Sequence, residues 1–77
     1  MHFIQETGFS FELDQIAGES AIDELTQRVE VVCQRAVEDA SICHGYGCLE
    51  WGGELYVFWY CINGETVTLR SIVSARP

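Results

Sequence analysis

The densest chemistry in this chain lies in Cys43-His44-x3-Cys48, which places two thiols and an imidazole within one short stretch. Thiolate and imidazole are good zinc donors, so a tight loop there could supply three ligands. The spacing matches none of the usual paired Cys-x-x-Cys patterns, and no fourth ligand is evident. Cys61, placed on the same sheet face as Cys48, falls roughly 13 Å further along by strand rise. No metal ligand set and no cofactor are therefore expected.

Nucleophilic catalysis needs a thiol or hydroxyl facing a base that a third group orients. Cys43 and His44 are chain neighbours, and adjacent side chains rarely aim at one another. Glu50 with Glu54, or Glu30 with Glu38, could work as general acid and base. Nothing in their spacing separates them from surface acids. No catalytic residue is assigned, and the chain reads as non-enzymatic.

Charge narrows the partners. Twelve acids against four arginines, with no lysine, give a formal charge of −8. Residues 1–39 carry nine acids against Arg28 and Arg35, and residues 40–77 carry three against Arg70 and Arg76. Phosphate backbones are bound by releasing counterions to lysine and arginine, so direct DNA or RNA binding is not expected. A basic protein partner is electrostatically allowed, and Asp23, Glu30 and Glu38 would present the acidic surface. Small acidic proteins of this kind include inhibitors carried by mobile elements, some of which mimic nucleic acid.

At 77 residues the chain is a single domain, 1–77, that buries only about 60% of its unfolded surface. The 48% apolar content and single proline argue against a disordered acidic tail. No apolar run reaches the roughly 18–20 residues of a membrane span, and no signal-like start is present, so a cytoplasmic protein with free, mostly buried thiols is expected. Cys33 and Cys43 would lie about 15 Å apart on one helix, beyond disulfide reach.

The elements that must position these groups follow from periodicity. His2–Glu6 and Phe9–Asp14 around Thr7-Gly8 read as a hairpin, since Ile4, Phe9, Phe11 and Leu13 then share one face. Ser20, with Asp23 three residues on, suits a helix start. Ile22, Leu25, Val29, Val32, Cys33, Ala36 and Ala40 then step by threes and fours along one stripe. His44-Gly45-Tyr46-Gly47 is expected to end that helix.

Cys48–Trp51, Glu54–Ile62 and Glu65–Ser74 read as a meander joined by type I′ turns at Gly52-Gly53 and Asn63-Gly64. That register sets Tyr60 opposite Val67 and Phe58 opposite Leu69. It puts Phe58, Tyr60, Val67, Leu69 and Val73 toward the helix, and Leu55, Val57, Trp59, Arg70 and Ile72 on the other face. The expected fold is α+β: a five-stranded, mostly antiparallel sheet with one long amphipathic helix on one face, in the order ββαβββ.

The last ~25 residues, ending Thr68-Leu69-Arg70-Ser71-Ile72-Val73-Ser74-Ala75-Arg76, resemble the closing strand of BrnT toxins in the RelE-like ribonuclease superfamily. The resemblance implies RNA as substrate and RNA cleavage as the activity; it identifies no catalytic residue.

A helix is about 10 Å across, whereas five strands at about 4.8 Å span roughly 19 Å, so one helix leaves apolar sheet uncovered. A contiguous patch of Leu55, Val57, Trp59 and Ile72 is not the usual lining of a wetted face. A small acidic interaction module that self-associates through its sheet as a homodimer is the leading expectation, with Arg70 at the rim reaching Glu50 of the same or the partner chain.

Overall fold

A computed structural model describes residues 2–37 and 44–76. The elements are β1 (His2–Gln5), α1 (Thr7–Ala17), α2 (Ile22–Val37), β2 (His44–Trp51), β3 (Glu54–Asn63) and β4 (Thr66–Ser74). The sheet has four strands in the order β1-β4-β3-β2. β1 runs parallel to β4, and the other neighbours are antiparallel. The α+β class stands, but the expected five-stranded sheet with one long helix is replaced by four mixed strands and two helices, βααβββ.

The amino-terminal hairpin is the first correction. Residues 7–17 are helical, and Phe9 and Leu13 are fully buried while Phe11 is 63% exposed. Phe9, Phe11 and Leu13 fit a strand with period two, but Phe9, Leu13 and Ile16 fit a helix equally well. Packing chooses the helix, because α1 lies over β4 and adds two large side chains to the core. β1 alone remains extended. Its pairing continues into Glu6, whose N–H donates to the Leu69 carbonyl at 3.0 Å.

α2 carries the stripe read from the sequence: Leu25, Val29 and Cys33 are buried, and Ile22 and Val32 pack against the core. The helix opens two residues after Ser20, with Ala21 accepting from the Leu25 N–H. Asp23 and Glu24 in its first turn and Arg35 in its last complement the helix dipole. Its expected continuation through Ala40 to Cys43 falls outside the described residues. His44–Gly47, expected to terminate the helix, is instead the first half of β2.

The β3–β4 hairpin closes one residue later than the sequence reading placed it. Asn63 pairs with Thr66, and the turn residues are Gly64 and Glu65. Gly64 has φ 63° while Glu65 keeps a negative φ, which is the type II′ pattern rather than type I′. Tyr60 therefore faces Leu69 and Ile62 faces Val67. Further along, the register shifts between Trp59 and Tyr60, so that Trp59 faces Ser71 and Phe58 faces Ile72. Arg70 is the extra residue of a β-bulge. The bulge reverses the alternation of β4, turning Ile72 into the core and Val73 out of it. Both had been placed on the opposite faces.

Candidate interaction surface

Both helices lie on one side of the sheet, and the face turned away from them is an unbroken surface. Its rows follow from the register. Ile4, Thr68, Cys61 and His44 line up across β1, β4, β3 and β2. The next row runs Ser71, Trp59, Tyr46, followed by Val73, Val57, Cys48 and then Leu55, Glu50. Trp59 is at the centre, 43% exposed, with Tyr46 beside it at 67% and Val73 at 40%. Ile4 and Leu55 are also exposed, and Val57 is half-buried.

Of the residues expected on this face, Leu55, Val57, Trp59 and Arg70 lie there. Ile72 does not: it is 1% exposed in the core, because the bulge turns it inward. Tyr46, Val73 and Ile4 join the face instead. The alternation Tyr46-Gly47-Cys48-Leu49 was a usable signal for Tyr46 as a strand residue. Ile4 and Val73 depended on a non-local pairing and on the bulge.

Arg70 marks one side of the surface. Its Nε lies 2.9 Å from Glu6 Oε1, and its Nη1 donates to Cys61 Sγ at 3.6 Å. Within the chain the expected reach to Glu50 is not made, since Glu50 lies on β2 at the far edge of the sheet. Instead, Arg28 on α2 donates to the Glu50 backbone carbonyl at 3.1 Å and stacks 5.4 Å above the Trp51 ring. Arg70, Cys61, Trp59, His44, Gly45 and Tyr60 line a shallow cleft of about 470 Å³.

The thiols occupy three environments. Cys33 is buried beneath α2; desolvation first, and the nearby Glu30 charge second, push its pKa up to about 12. Cys48 is exposed and Cys61 half-buried on the open face, in contrast to the expectation of mostly buried thiols. Cys43 is outside the described residues. Among the described residues, no three His, Cys, Asp or Glu side chains gather closely enough to hold a metal ion.

Charge is distributed by layer. Glu12, Asp14, Glu19, Asp23, Glu24 and Glu30 belong to α1, α2 and the loop joining them. Asp23 is exposed and Glu30 half-buried, while Glu38 lies outside the described residues. On the sheet side Glu6 is paired with Arg70, and Glu54 with Arg76 at 3.5 Å. Among the described residues, no helix is long and apolar enough to cross a membrane.

The chain matches no protein-family model, no curated protein and no solved structure. None of these comparisons supports the resemblance to the RelE-like toxins.

Proposed function

We propose that this protein is a non-enzymatic interaction module that associates with a second copy of itself, open sheet face against open sheet face. The observation that carries the reading is the concentration of exposed large apolar side chains on one face. Ile4, Tyr46, Leu55, Trp59 and Val73 are all there, whereas the helix layer exposes Phe11 and Val31. Burying such side chains gains about 25 cal/mol per Å² of apolar surface, a substantial term for a fold this small.

Charge favours a second copy over a basic partner at this face. The acids are carried mainly by the helices; Glu6 is paired with Arg70 and Glu54 with Arg76, which leaves Glu50 as the exposed acid of the open face with no arginine on its carboxylate among the described residues. Stacked sheets lie about 10 Å apart and each helix layer adds about 10 Å, so the two acidic layers would be roughly 30 Å apart. That is several times the ~8 Å screening length at physiological salt. The repulsion expected between two chains of charge −8 is therefore largely screened in this arrangement. A basic protein, by contrast, would seek the helix layer.

Sedimentation equilibrium of wild type and Trp59→Glu tests the reading. Wild type is expected to associate at tens of micromolar and Trp59→Glu to lose the face-to-face part of that association. A monomeric wild type overturns the self-association, and an unchanged Trp59→Glu overturns the face.

A further inference from the structure

The two edges of the sheet are built differently. On one side β1 has only four residues, and the part of β4 that β1 does not cover is attended by α1. There Glu12 Oε1 accepts from Ser71 Oγ at 3.3 Å and from the Ile72 N–H at 3.5 Å. On the other side β2 runs for eight residues, and among the described residues no strand pairs with its outer edge. Long unprotected edges are templates for further pairing.

The turn at Gly52-Gly53 identifies which backbone groups face outward. A two-residue hairpin closes on the hydrogen-bonded pair Trp51–Glu54, and bonding alternates from there. Glu50, Cys48, Tyr46 and His44 therefore turn their N–H and C=O groups away from β3. The Arg28 contact agrees with this, since it reaches the Glu50 carbonyl from outside the β2–β3 ladder.

We infer that the outer edge of β2 pairs antiparallel with β2 of a second copy, centred on Gly47. The inference rests on self-association of this chain and adds a second contact to the open face. The strand is self-complementary in that register. Tyr46 stands opposite Cys48 of the second copy, and His44 stands opposite Glu50 of the second copy, an imidazole against a carboxylate. On the helix side Leu49, packed in its own core, stands opposite Gly45, and Gly47 meets Gly47; the space above both glycines is held by the Tyr60 and Phe58 rings of their own chain. Outward groups meet outward groups, as a hydrogen-bonded ladder requires, except that the Glu50 carbonyl already accepts from Arg28 of its own chain. A groove of about 490 Å³ alongside is lined by Val31, Val32 and Leu49 together with the charged Glu24, Arg28 and Glu50.

Area gives an independent reason. Four strands of this length have a footprint of about 500 Å² at ~4.8 Å spacing and ~3.3 Å rise, so two stacked faces bury on the order of 1,000 Å². That is below the ~1,200–2,000 Å² of specific interfaces. Edge pairing turns two sheets into one continuous eight-stranded surface and doubles the area available for stacking. The edge two-fold is perpendicular to the sheet and the stacking two-fold lies in its plane, which is compatible with a closed four-chain assembly.

Amide hydrogen exchange on wild type, with sedimentation of Cys48→Pro and Trp59→Glu, tests the pairing. At high micromolar concentration the Tyr46 and Cys48 amides are expected to exchange slowly, and to lose that protection on dilution. Cys48→Pro removes an outward N–H from an edge strand, where proline is tolerated, and should halve the assembly mass. Trp59→Glu should also halve it, while leaving Tyr46 and Cys48 protected. The thiol introduced by Tyr46→Cys should form an interchain disulfide with Cys48, which requires no folding change at the proline site. Fast exchange at Tyr46 and Cys48, or no such disulfide, overturns the edge pairing. If Trp59→Glu still lowers the mass in that case, stacking of the faces stands alone; if it does not, that reading fails as well.

Discussion

Gly47 lies directly opposite Phe58, and a Cβ built on Gly47 would come within 2.5 Å of the Phe58 ring and 2.8 Å of Val32. The glycine is where β2 lets α2 and the core aromatic ring approach the backbone. Gly47→Ala is expected to destabilise by about 1–3 kcal/mol, the usual cost of overpacking a core. Chemical denaturation measures it, and an unchanged midpoint would show that the ring and helix move aside freely. Gly45→Ala meets the Tyr60 hydroxyl at 2.9 Å, the far end of a side chain, and should cost less.

Gly64→Val is expected to damage folding more than Gly8→Ala. Gly64 holds φ 63° at the hairpin turn, where a β-branched side chain is strongly disfavoured, whereas a Cβ at Gly8 meets nothing within 4 Å. Equal melting temperatures for the two variants would show that the turn tolerates another backbone conformation.

Deletion of Arg70 should leave the core pairs intact, because removing the bulged residue keeps Phe58 opposite Ile72 and Tyr60 opposite Leu69. Deletion of Thr68 should unfold the chain, since it sends Leu69 to the open face and brings Arg70 to a core position unless the bulge moves. Circular dichroism and thermal melts of both deletions provide the comparison. A Thr68 deletion as stable as the Arg70 deletion would defeat the account.

Thiol labelling of the folded protein, at dilutions where the chain does not associate, should modify Cys48 faster than Cys61, and Cys33 only on unfolding. The order follows their exposed, half-buried and buried positions. Mass spectrometry of peptides after timed alkylation reads it directly, and rapid labelling of Cys33 would contradict its burial.

Alkaline pH should weaken the fold through Cys33. The buried thiol keeps its proton to about 12, against 9.0 for the ordinary group, so folding favours the protonated form. That contribution is intact below pH 9.0 and is lost as pH rises through about 12. Burial also raises Tyr60, with the same sign. Cys33→Ala should therefore lose less stability than wild type between about pH 8 and pH 10.5 in urea titrations. Parallel losses would show that Cys33 does not carry the effect.

The sequence by itself determined the elements whose signals are local. The stripe Leu25, Val29, Cys33 repeats at helical spacing, so α2 needed no partner to be recognised. The glycine pair 52–53 placed the first hairpin, and the parity of Phe58, Tyr60, Val67 and Leu69 placed the core face of β3 and the start of β4. Trp59, Val57 and Leu55 followed onto the other face because period two leaves them nowhere else. Tertiary structure decided what local periodicity leaves degenerate. Residues 9–16 satisfy both a strand and a helix pattern, and only packing against β4 selects the helix. β1 finds β4 across nearly the whole chain, a pairing that no short-range signal encodes. Arg70 bulges because the core must take Ile72 opposite Phe58 while Leu69 stays opposite Tyr60, and one extra residue satisfies both. A bulge is invisible to alternation read along a single strand, because it is set by the register of the neighbouring strand. That one residue moved Ile72 from the expected contact surface to the core and put Val73 beside Val57 in its place.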